Sequence, residues 1–309
     1  MKKILKYFLP WLISRTGILY IVLVLVLGNL IDLAALREGI TVRRLNNLSR
    51  KTHETLARLI NKKSGANEIE LSPLIQYYET VLDTHPRMNE ARGLLGYARY
   101  HIGQVSAARE LDQEAVANNP DFFWYYYNLA VLDYWDGRYQ SCIRTARKAL
   151  AVPADNTLRT ISESPMVYRP LAAHRQRAQS FNIVEELEGG YVNLLIVLAD
   201  SLRREGLYRD LWQVASLALK NEDAPQGYFH LMKGLSAFHM RDARAALEEL
   251  KLAIEDDPAM IQSYHFMERL IRKNGQDEAA NLFRDKAAML DQKKDTLEKY
   301  PAKVTLAPY

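Results

Sequence analysis

The chain has 309 residues, with 41 Lys plus Arg against 37 Asp plus Glu and a net charge of +4. Hydrophobic residues at 48% and charged residues at 25% describe a globular protein and exclude a disordered chain. One cysteine, Cys142, excludes a disulfide framework, a CxxC zinc site and a CxxCH haem site within the chain, and 11 Pro with 14 Gly disfavour a turn-rich all-β fold.

The charge is concentrated at one end. Residues 1–70 hold 12 basic and 5 acidic side chains, leaving 29 basic and 32 acidic for the rest. The body therefore lacks the positive field on which non-specific nucleic-acid binding depends, and no nucleic-acid partner is expected.

Residues 1–36 read as a short cationic tail (Lys2, Lys3, Lys6, Arg15) and a transmembrane helix. From Gly17 to Leu36 the only acidic residue is Asp32, and the Val/Leu/Ile run at 21–27 is apolar on every face. About 20 such residues span a bilayer, so residues 17–36 are assigned as a lipid-embedded anchor. A cleaved signal peptide shares the basic start, but the apolar run is long and no small-x-small site follows it. A core helix apolar on all sides has no place in a solenoid. Basic residues on the two flanks nearly balance, which leaves the positive-inside rule almost silent. The four cations of the short tail favour a cytoplasmic N-terminus, hence a single-pass inner-membrane protein with its body periplasmic. Residues 37–70 form a basic juxtamembrane helix and linker. Leu45, Leu48, Leu56, Leu59 and Ile60 recur at helical spacing, which suits a lipid-touching helix and a solvated stalk equally.

From residue 89 onward the chain repeats with a period of 34. Asn89–Phe122 aligns with Phe123–Asn156, and Gly227–Met260 with Ile261–Lys294. Small residues recur at position 8 (Gly96, Ala130, Ala199, Gly234) and position 20 (Ala108, Cys142, Ala246, Ala280), where two antiparallel helices approach closely. Glycine recurs at position 15 (Gly103, Gly137, Gly206, Gly275), permitting a left-handed C-cap at the turn. Proline near position 32 (Pro120, Pro153, Pro258) stops the second helix. Neither helix buries its face alone, so neighbouring units stack into one core.

Over residues 89–156 and about 192–294 this pattern resembles the tetratricopeptide repeat (TPR). The resemblance implies an all-α, right-handed helix-turn-helix solenoid. Arg92, Leu195 and His230 depart from the aromatic expected at position 4, and Leu211 replaces a small residue at position 20. Residues 71–156 then hold a half repeat (Leu74, Tyr78, Val81, Pro86) plus two units, and residues 192–294 hold three. Between them, residues 157–191 are a degenerate repeat or an insertion. Pro165 and Pro170 point to a loop over 154–170 before a helix near 171–187. Residues 295–309 form an extended C-terminal tail.

No GxSxG, HExxH, phosphate loop or GxGxxG is present, and the seven histidines lack metal-ligand spacing. No catalytic residue, metal or cofactor is expected. The family resemblance implies that the first helix of each unit lines a concave partner-binding face. The positions carried over include Tyr97, Tyr100, Trp124, Tyr127, Tyr134, Trp135 and Tyr228 at an aromatic end. Arg203, Arg204, Arg269, Arg272 and Lys273 form a basic end. Aromatic anchors suit protein partners, and the cations suit acidic segments. The expected function is a membrane-anchored, non-enzymatic scaffold for partner proteins. The resemblance to single-anchor repeat proteins implies that it belongs to a bacterial cell-envelope assembly: secretion, pilus, polysaccharide export or cytochrome maturation. The alternative is a permanent accessory subunit of a membrane enzyme complex. Oligomeric state is open.

Overall fold

The computed structural model describes residues 68–164, 182–290 and 296–309. The expected membrane span at 17–36, the juxtamembrane helix before residue 61 and residues 165–181 lie outside the described residues. Among those described there is no strand, and no helix is long and apolar enough to cross a membrane.

The described residues form a stack of antiparallel helix pairs. α1 (Glu68–Thr84) leads into the pairs α2/α3 (Asn89–His101, Val105–Asn118) and α4/α5 (Phe123–Trp135, Tyr139–Leu150). After α6 (Ala154–Glu163) come α7/α8 (Ile183–Arg204, Tyr208–Ala218), α9/α10 (Gln226–His239, Ala243–Asp256) and α11/α12 (Ile261–Lys273, Asp277–Met289). A short helix α13 (Thr296–Lys299) and a 3-10 turn (Pro301–Lys303) precede the last six residues.

The turns inside the pairs share one geometry. Gly103, Gly137, Gly206 and Gly275 have φ of 82°, 71°, 69° and 76°. In each turn the following amide reaches back five residues, as Gln104 N does to Arg99 O at 2.9 Å and Arg138 N to Asp133 O at 2.9 Å. That six-to-one bond closes the C-terminus of the first helix, and the left-handed residue before it favours glycine. The pair α9/α10 makes the same bond, Asp242 N to Ala237 O at 2.9 Å, with Arg241 at φ 66°. Asp242 compensates in part by capping α10, its carboxylate accepting from Ala245 N at 3.0 Å.

The small residues sit where helices cross. A Cβ on Gly96 would lie 3.3 Å from Ala108 O, and one on Gly234 would lie 2.8 Å from Leu250 Cγ. Ala108, Ala130, Cys142, Ala199, Ala246 and Ala280 are fully buried. Between the first two pairs, Arg109 on α3 donates to the carboxylates of Asp133 and Asp136, and Arg138 donates to Asp133 at 2.6 Å.

α7 packs directly against α4 and α5, so no helix pair intervenes there among the described residues. Residues 154–163 are helical where the two prolines downstream suggest a loop. α6 starts behind Pro153 and its Thr157 hydroxyl accepts from Phe123 N at 3.0 Å, so the helix is fixed onto the start of α4. α7 begins at Ile183, ahead of the expected unit boundary, capped by Asn182, whose side-chain oxygen accepts from Val184 N at 3.1 Å.

Candidate functional site

The first helices α2, α4, α7 and α9 share one face of the stack, and residues 296–309 lie along it. The segment starts beside α9, where the Tyr300 ring is 5.0 Å from that of Tyr228. It passes the end of α7, where Arg204 donates to Glu298 at 2.7 Å. It then crosses α4 and ends against α2 and the start of α7. Residue order along this face is thus the reverse of repeat order.

Four hydrogen bonds from Tyr127, Asn128 and Trp135 hold the segment through its backbone. The Trp135 indole N–H donates to Val304 O at 3.3 Å, and the Tyr127 hydroxyl donates to Thr305 O at 2.9 Å. Asn128 grips Ala307 twice: its amide nitrogen donates to Ala307 O at 3.0 Å, and its oxygen accepts from Ala307 N at 2.8 Å. A side-chain amide presents donor and acceptor together, which matches a single extended residue. Asn128 is fully buried, so these bonds also satisfy a group that would otherwise be costly to desolvate.

The side chains of Val304, Leu306 and Tyr309 are buried in the trough. The Tyr309 ring stacks on Trp124, with centroids 4.7 Å apart and planes at 9°, and its hydroxyl bonds to Glu186. Gly93 admits this end. A Cβ there would lie 2.6 Å from Tyr309 O and 2.8 Å from Tyr125 Cε1. Val304 is extended, with φ −78° and ψ 122°, a conformation suited to backbone reading by side chains.

Beside the seat, Asp200 gathers three donors. Tyr134 Oη lies 2.8 Å away, Arg203 Nη2 2.7 Å and Arg204 Nε 2.5 Å. Burial raises the Tyr134 hydroxyl pKa, and the charge of Asp200 raises it further. Burial disfavours the Arg204 cation, yet the hydrogen bond and charge of Asp200 outweigh it and hold the guanidinium firmly charged. Burial likewise lifts the Tyr127 hydroxyl above its ordinary value, keeping it a donor at neutral pH.

The candidate residues thus divide. Trp124, Tyr127, Trp135 and Arg204 touch the segment directly, and Tyr228 meets Tyr300. Tyr134 and Arg203 support it through Asp200. Tyr97 and Tyr100 pack with His101, at 4.4 and 5.4 Å between centroids. Arg272 is held within its own repeat by Glu268, Asp277 and Asn281 at 3.0–3.2 Å, Arg269 lies over the Phe266 ring at 5.7 Å, and Lys273 is exposed. Sequence reasoning missed Asn128, Gly93 and Glu186, and it missed that the tail is seated. Two signals were available: glycine at Gly93, where the next unit has Tyr127, and the apolar run of the tail itself (Val304, Leu306, Ala307, Pro308, Tyr309).

No protein-family model and no curated protein sequence matches the chain. Solved structures do resemble it. YrrB, described as a TPR protein with an unusual peptide-binding site, superposes with a TM-score of 0.51 at 13% identity, covering 74% of this chain and 98% of that one. Apo RapI gives 0.49 at 13% identity, covering 85% and 79%. PilF of Pseudomonas aeruginosa gives 0.44 at 17% identity, covering 65% and 75%. The architecture is that of an all-α helical-repeat solenoid, and its fold is the TPR fold.

Proposed function

We propose that this chain is a membrane-anchored TPR scaffold that binds partner proteins through the face formed by its first helices. The observation that carries this reading is the seat itself: that face holds an extended polypeptide through side-chain bonds to its backbone. A surface built to read one extended chain is chemically equipped to read another. The peptide-binding site in the description of YrrB points the same way. Residues 17–36 supply the anchor by length and composition, with the repeats outside the cytoplasm, and the layout suits a cell-envelope assembly.

The test is co-purification of the full chain from membranes in mild detergent. Trp135 is 46% exposed, so Trp135→Ala should leave folding intact by circular dichroism. It should lower recovery of stoichiometric partners about tenfold or more, as loss of a central aromatic anchor does. Leu282→Ala, on α12 and outside the seat, should leave recovery unchanged. Equal recovery with both variants would sink the assignment of this face.

A further inference from the structure

We infer that residues 301–309 are an internal ligand, and that a partner enters by displacing them with an extended segment of like chemistry. That segment would carry two aliphatic side chains two residues apart, a small residue gripped through its backbone, then an aromatic ring. The inference rests on the partner-binding reading of this face and names the partner's chemistry and the site's regulation.

The seat reads backbone first. All four bonds from Tyr127, Asn128 and Trp135 reach carbonyls or the amide of the segment, so any extended chain can satisfy them. Selectivity comes from the sites of Val304, Leu306 and Tyr309, the last defined by the Trp124 face. An emptied trough would uncover Asn128, Tyr127 and Trp124 together, leaving polar groups short of partners amid an aromatic patch. Exchange of one occupant for another avoids that state. The front of the segment is loosely held. Glu298 is 62% exposed in its pair with Arg204, Lys299 stands 4.0 Å from Asp257, and Tyr300 Oη is 3.4 Å from the same carboxylate. Exposed pairs of this kind contribute little, so release starts there and proceeds towards Asn128. A tethered occupant competes at an effective concentration of order mM, which lowers the apparent affinity of any partner.

The test uses the full chain in detergent and a fluorescein-labelled peptide, PAKVTLAPY, followed by anisotropy. The protein carrying Val304→Ser, Leu306→Ser and Tyr309→Ser keeps an intact trough with a weakened internal occupant. It should bind the peptide at least tenfold more tightly than the unsubstituted protein, and adding Asn128→Ala should remove that gain. Equal affinity for the two proteins, or no binding to a folded triple variant, overturns the inference. A second measurement needs no substitution. In isotope-labelled wild-type protein, saturating unlabelled peptide should speed hydrogen exchange at the Ala307 amide at least tenfold. An unchanged rate would make the segment a permanent part of the core. Concentration-dependent dimers that the peptide dissolves would assign the seat to a second copy and overturn the partner stated here. Should displacement fail while Trp135→Ala still releases co-purified partners, the scaffold reading stands without it. Peptide exchange with no partner lost on Trp135→Ala would sink the scaffold reading alone.

Discussion

Arg241 and Asp112 both sit where their chemistry is a poor fit. Arg241 holds φ 66° in the one intra-pair turn among the described residues that lacks glycine. A left-handed conformation costs a non-glycine residue roughly 1–2 kcal/mol, part of which glycine returns through its freer unfolded state. Arg241→Gly should therefore stabilise the protein by about 0.5–1 kcal/mol, seen as a higher urea midpoint with an unchanged slope. A lower midpoint would mean that the arginine side chain makes a contribution larger than the strain. Asp112 is fully buried on α3 against Gly96, and neither carboxylate oxygen has a hydrogen-bond partner among the described residues. Burial pushes its carboxyl well above the ordinary range, with Arg109 opposing only in part. The folded chain then keeps a proton that the unfolded chain releases above about pH 4. Stability falls as pH rises from there towards the raised value, because the native state binds more protons over that interval. Asp112→Asn should remove this fall. Thermal midpoints of the two proteins should converge near pH 4 and separate in favour of the variant at pH 7.5. A gap that does not change with pH would assign the difference to packing.

Among helix pairs the controlling fact is close approach. Leucine at Gly96 would drive a side chain into Ala108 and Leu111 on α3, and leucine at Ala280 would do the same between α11 and α12. Each should cost about 1–3 kcal/mol, and more where the backbone cannot yield. Unchanged melting of both variants would mean that the contacts are not where the repeat frame puts them. This frame was legible in the sequence because small residues and turn glycines are demanded by local geometry, the same in every unit. Other features depend on what lies across the molecule and leave no periodic trace. α6 is pinned to the start of α4 by the Phe123 N–Thr157 hydroxyl bond, a pairing 34 residues apart, whereas the prolines nearby suggested only a break. Asn128 looked like an ordinary polar residue in a helix until Ala307, 179 residues away, took both ends of its amide. The aromatic positions Trp124, Tyr127 and Trp135 were visible as a row, but their occupant was not.

For the whole molecule, the proposed anchor makes the side of the membrane the first question. Cys142 is buried and its thiol is pushed up to about 12 by burial, with Ser201 pulling it partly back, so it offers little background to thiol reagents. Met289 is 80% exposed near the end of α12. A Met289→Cys protein in intact spheroplasts should react with a membrane-impermeant maleimide if the repeats lie outside the cytoplasm. Labelling that requires lysis would reverse the orientation and leave the fold as described. The seated segment also changes the mechanics of the array. Helix pairs in a solenoid touch only their neighbours and can fray from either end. Here the Tyr300–Tyr228 contact and the approach of Tyr309 to Gly93 tie late units to the first full one.

The same tie imposes an order in time. Every helix of the stack precedes residues 301–309 in the chain and is synthesised before them. The aromatic row on α4 is therefore complete, and uncovered, while the chain that will cover it is still being made. A newborn copy meets its surroundings with the trough open, and a mature copy meets them with it filled.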